Sequence, residues 1–115
     1  MKIIKVVFYC TPNGSEPVRK WLMTLDQCDK KTIGTEIKTV EFGWPIGMPL
    51  VRKMENLLWE VRVDISDKRI ARVLFTVVNS KMVLLHGFIK KQQKTPEKDI
   101  DLAKERLKKT KSSAV

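Results

Sequence analysis

Six cations, Arg62, Arg69, Arg72, Lys90, Lys91 and Lys94, crowd into the second half of a 115-residue chain, around its one histidine, His86. Such a group can hold phosphates, and it can also cut RNA. The RNA 2′-hydroxyl already lies beside the scissile phosphate. A protein need only orient it, assist its deprotonation and stabilise charge on the phosphorane and the leaving oxygen. Arginine suits the phosphate because its planar fork donates two parallel hydrogen bonds. Lysine or histidine can move the proton if its pKa is tuned toward neutrality. DNA lacks that hydroxyl. No glycine-rich phosphate loop, metal-binding set of carboxylates or Ser-His-Asp arrangement is recognisable. Glu60, Asp64 and Asp67 read as local partners of Arg62 and Lys68, and Cys10 and Cys28 as free thiols, so neither a metal nor a cofactor is expected.

The elements that position these cations centre on Arg69 to Lys91. Two arms rich in β-branched and aromatic residues flank Asn79-Ser80, the pattern of a two-residue β-hairpin. Both arms are apolar on both faces, which predicts inner strands covered on each side. With Asn79 and Ser80 as the loop, Val78 faces Lys81, Thr76 faces Val83, Leu74 faces Leu85 and Arg72 faces Gly87. Arg72 then shares a face with Ile89 and Lys91, while Val73, Phe75, Val77, Met82, Leu84, His86 and Phe88 make the opposite, better core face. On this register His86 is a packing residue and Gly87 leaves open space opposite Arg72. A one-residue change in loop length would move Arg72 across the sheet.

Leu58 to Asp64 alternates strictly from Trp59 on, with Trp59, Val61 and Val63 on one face and Glu60, Arg62 and Asp64 on the other. Arg62 therefore falls on the face of Arg72. Ile65 to Lys68 turns this strand into the hairpin, and Leu50 to Met54 is a further short strand candidate. Upstream, Lys2 to Tyr9 reads as a strand, and Ser15 as a cap before Pro17 in the first turn of a helix carrying Val18, Trp21, Leu22 and Leu25. Asp29 is a candidate cap for a second helix with Ile33, Ile37 and Val40 inward, ended by Gly43 and Pro45; Trp44 reads as a packing plug. Thr95-Pro96 starts a last helix with Ile100, Ala103 and Leu107 on one stripe, running to about Lys109, and residues 110–115 read as a disordered basic tail.

The chain is the size of one domain, placed at residues 1–109. Its net charge of +10 is uneven: 9 Lys and Arg stand against 6 Asp and Glu up to Leu57, and 14 against 7 after it. That bias favours a polyanionic partner, nucleic acid before membrane, because no basic amphipathic helix with a bulky apolar face stands out; an acidic protein partner would also satisfy it. No apolar run is long enough to span a bilayer and no signal peptide is evident, so a cytoplasmic location is expected.

Leu58-Trp-Glu-Val-Arg62, Arg72-Val-Leu-Phe, Leu84-Leu-His-Gly-Phe-Ile-Lys-Lys91 and Gln93-Lys-Thr-Pro96, in this order and followed by a helix, resemble the phage-related HigB toxins of the RelE/ParE toxin–antitoxin superfamily. The resemblance covers Leu57 to Leu107. It implies an α+β fold, a small twisted antiparallel sheet with N-terminal helices and a C-terminal helix. It also implies a toxin that cleaves mRNA on the translating ribosome and is neutralised by a HigA-like helix-turn-helix antitoxin. Residue by residue, Arg72 matches the central-strand arginine that RelE-like enzymes use on the phosphate, Arg62 a basic strand residue and Lys91 a second catalytic cation. RelE has a late tyrosine, whereas the one tyrosine here is Tyr9; His86 is the candidate substitute. Arg69, Lys90 and Lys94 are assigned to RNA and ribosome binding through counterion release. Arg72→Ala is expected to abolish cleavage and leave the fold intact. A ParE-like gyrase poison on the same fold and a noncatalytic basic RNA-binding module are the alternatives.

Overall fold

The computed structural model describes residues 4–90 and 94–113. The strands are β1 (Lys5–Phe8), β2 (Val51–Glu55), β3 (Leu58–Ile65), β4 (Arg69–Val78) and β5 (Lys81–Lys90), and the helices are α1 (Pro17–Met23), α2 (Gln27–Gly43) and α3 (Glu97–Ser113). The strands form a single sheet in the order β1-β5-β4-β3-β2. This is the expected α+β fold, consistent with a RelE-like architecture. The sheet is mixed rather than wholly antiparallel. Hairpins join β2 through β5 antiparallel, but α1 and α2 carry the chain across one face from β1 at one edge to β2 at the other, and β1 pairs parallel to β5.

Each face of the sheet buries its own core. On one, Val18 of α1 and Ile33, Ile37 and Val40 of α2 pack on Val61, Val63, Ala71, Val73, Phe75, Met82 and Leu84. On the other, Ala103 and Leu107 of α3 pack on Leu58, Leu74, Val83, Leu85 and Phe88. The helical stripes expected from spacing are thus the buried ones, as burial of apolar area requires. Trp44 plugs the first core, edge-on to Trp59 and Phe75 at centroid distances of 5.0 and 5.6 Å.

Several local expectations are corrected. Glu16, not Ser15, occupies the N-cap of α1 and makes no side-chain cap bond; Pro17 needs no partner for an amide it lacks. Asp26, not Asp29, caps α2, accepting the Asp29 amide at 3.0 Å. α3 continues to Ser113, past Lys109.

The largest correction is in the hairpin. The turn is at Asn79-Ser80, both at positive φ, and Val78↔Lys81 through Phe75↔Leu84 keep the expected parity. A β-bulge then intervenes, so that Leu74 pairs with His86, Val73 with Gly87 and Arg72 with Phe88. Leu85 is the extra residue, and beyond it every side chain of β5 changes face. His86 and Phe88 join Arg72 on the α3 face, and Ile89 goes to the helical core opposite. Gly87 is not beside open space: a Cβ there would overlap the Trp21 ring of α1. The bulge is held from α3, whose Arg106 donates through Nη1 to the Leu85 carbonyl at 2.8 Å while its guanidinium lies 5.6 Å from the Tyr9 ring centroid.

Asp29, freed from capping, is buried one turn into α2 and clamps the β3–β4 turn. It accepts from the Ser66 amide and hydroxyl at 3.2 and 3.0 Å and from Arg69 Nη2 at 2.8 Å. Burial alone would raise the Asp29 pKa, but the Ser66 bonds and the Arg69 charge outweigh it and hold the carboxyl below its ordinary value. A depressed folded-state pKa adds stability that is complete above the unfolded value and lost as pH falls through the folded one. Asp29→Asn is therefore expected to have a lower urea midpoint than wild type at neutral pH, with the gap closing as pH falls below the ordinary carboxylate value of 3.8. A gap that stays constant into acid would remove the ionised carboxylate from the account.

Candidate functional site

β3, β4 and β5 bring the candidate residues to one face in two adjacent cross-strand rows. One is Arg62–Arg72–Phe88 and the next is Glu60–Leu74–His86. Like charges directly opposite one another repel, so Arg62 and Arg72 need anions nearby. Glu60, fully buried, supplies one: its Oε1 accepts from Arg62 Nε at 2.8 Å and its Oε2 from the Thr95 hydroxyl. Asp99, in the first turn of α3, supplies the second charge and accepts from His86 Nε2, 2.7 Å away. The His86 ring stacks on Phe88, centroids 5.3 Å apart, and Phe88 lies 6.0 Å from the Arg72 guanidinium carbon.

Exposure divides the cluster. Arg72 is 0% exposed and donates through Nη1 to the Lys94 carbonyl at 3.0 Å. Removal from water, and next the Arg62 charge, push its pKa below the ordinary arginine value, against the raising effect of Glu60 and Asp99. The side chains of Arg62 and His86 stay 21% and 16% exposed. Those two can meet a solute. Because a carboxylate only accepts, the His86 contact with Asp99 makes Nε2 the donor and leaves Nδ1 as the other ring position. A histidine oriented by a carboxylate can take or give a proton, and the accessible arginine two strands away on the same sheet face can hold an anion.

Of the remaining candidates, Arg69 is not in this cluster; it belongs to the Asp29 clamp. Lys90 lies at the end of β5 opposite Ile70, half-buried, and Lys94 is exposed while its carbonyl tethers Arg72. Lys91 lies outside the described residues. The sequence reading missed Asp99 and took Thr95 for a helix cap alone. A signal for Asp99 existed: it lies four residues before Ala103 on the sheet-facing side of α3, where a carboxylate needs a partner.

Among the described residues no group of three or more His, Cys, Asp and Glu side chains is placed to hold a metal ion, and no helix is long and apolar enough to cross a membrane. Compared with known families, residues 20–108 match the family described as Phage derived protein Gp49-like (DUF891). No curated protein sequence matches the chain.

Proposed function

The chain belongs to the Gp49-like family, which is related to the RelE/HigB-like toxins of toxin–antitoxin systems and so implies an antitoxin partner, and from that premise we propose that it is a HigB-type toxin. Its reaction is metal-independent endonucleolytic cleavage of mRNA on the translating ribosome, which arrests translation and growth in the cytoplasm. Its neutralising partner is a HigA-like helix-turn-helix protein. The observation that carries the reading is the convergence of Arg62, Arg72 and the His86–Asp99 pair on one sheet face.

In this reading Arg62, the accessible arginine, holds the scissile phosphate and stabilises the charge that grows on it. His86, held in one orientation by Asp99, accepts the 2′-hydroxyl proton as the 2′-oxygen bonds to phosphorus, and the bond to the 5′-oxygen breaks with that oxygen taking its proton from water. Arg72 acts from within: its buried charge offsets Glu60 and Asp99, and its bond to the Lys94 carbonyl keeps the start of α3 seated over the cluster. Lys90 and Lys94 add sequence-independent attraction for RNA, and Lys91, next to Lys90 in sequence, is the second catalytic cation that the family resemblance implies.

The test is to map mRNA 5′ ends in a reconstituted translation reaction, with a ribosome-free control on the same mRNA. New ends are expected only during translation. Ends in the ribosome-free control would make the protein a free ribonuclease. No ends, together with trapped gyrase on DNA, would replace this reading by the gyrase poison.

A further inference from the structure

We propose that the groove between β1, the β4–β5 turn and the C-terminal turns of α3 is the docking site for an acidic amphipathic helix of a partner protein. The proposal deepens the reading above, because the partner in question is the antitoxin that the toxin assignment requires. The groove encloses about 920 Å³. Val7, Val78 and Val83 give it an aliphatic floor, and Lys81, Lys108 and Lys109 stand on its walls. Its carboxylate, Glu105, is already 3.6 Å from Lys109. An apolar trough rimmed by cations complements a helix with one apolar and one acidic face, in a chain whose net charge is +10.

Two observations decide the kind of occupant. Strand addition along β1 is obstructed, because the Val6 amide already donates to Glu41 Oε2 at 2.8 Å. RNA gains little from an aliphatic floor, and of the two aromatic rings that line the groove, Tyr9 is occupied by the Arg106 guanidinium and Phe8 packs on the helical core of the opposite face. The groove also lies away from the cation cluster. Asp99 and Thr110, on α3 at the cluster and at the groove, are separated by about 16 Å of helix rise. A partner seated here leaves Arg62 and His86 uncovered by its docking helix.

The full chain would be titrated calorimetrically with a synthetic helical peptide carrying a leucine stripe and glutamates elsewhere, and with a second peptide in which lysines replace the glutamates. Saturable binding of the acidic peptide is expected, and none of the basic one. Lys81→Glu with Lys108→Glu should weaken binding about tenfold or more, and Val78→Asp should abolish it, with unchanged circular dichroism and urea midpoints showing that both variants fold. Binding that ignores these substitutions, or no binding at all, would overturn the proposal. So would a wild-type dimer that Val78→Asp disperses, which would make the groove a contact between copies, or displacement of the peptide by an RNA oligonucleotide. The titration contains no ribosome. An empty groove therefore leaves the nuclease reading standing, and an inert nuclease with a filled groove leaves the docking site standing.

Discussion

Arg72→Ala is expected to lower the unfolding free energy by about 3–5 kcal/mol, the usual cost of removing one partner from a buried ionic group. The variant leaves Glu60 and Asp99 under α3 with less compensating charge, opens a cavity below Phe88 and removes the donor to the Lys94 carbonyl. For a domain whose total stability is about 5–15 kcal/mol, that is a large fraction. Urea denaturation at neutral pH measures it. A change under about 1 kcal/mol, the range of an exposed ion pair, would mean that Arg72 is not the structural charge its burial implies. The expectation that Arg72→Ala spares the fold is therefore withdrawn: lost cleavage in this variant would not separate chemistry from unfolding.

Arg62→Gln is the cleaner probe of the site, and it should reduce the cleavage rate on translating ribosomes about 10²–10³-fold, the loss typical of one charge-stabilising donor. Glutamine keeps a donor for Glu60, so the contact at 2.8 Å has a replacement while the cation is lost. Because Glu60 is fully buried and loses its cation, some stability is lost as well, about 1–3 kcal/mol, less than for Arg72→Ala because the glutamine amide keeps the hydrogen bond. The measurement is the initial rate of appearance of new mRNA 5′ ends, read beside the urea midpoint. A variant that cuts at the wild-type rate would take Arg62 off the phosphate. A rate loss that tracks a matching loss of stability would make Arg62 a structural partner of Glu60 and nothing more.

The reading of β5 shows where sequence reasoning stopped. Met82 to Phe88 is apolar on both faces, so its alternation carries no phase, and nothing in it marks Leu85 as the residue to be set aside. The bulge is secured by Arg106, 21 positions further on, whose guanidinium takes the Leu85 carbonyl. Without that shift His86 would lie under α1, away from Asp99. The capping errors have a similar origin. Asp26 and Asp29 are both good local caps, and Asp29 went instead to Ser66 and Arg69, 37 and 40 positions away.

What the sequence determined by itself was local: the helix stripes, the Asn79-Ser80 turn and the strict alternation that puts Arg62 and Glu60 together on β3. Turn chemistry and side-chain period act over a few residues and need no partner from elsewhere. Tertiary structure decided which groups are reachable. α3 and the Lys94 carbonyl bury Arg72, and Asp99 turns His86 from a packing residue into an oriented one. Burial and charge compensation depend on groups brought together across the sheet, and pairs this far apart in the chain leave no period in the sequence to read.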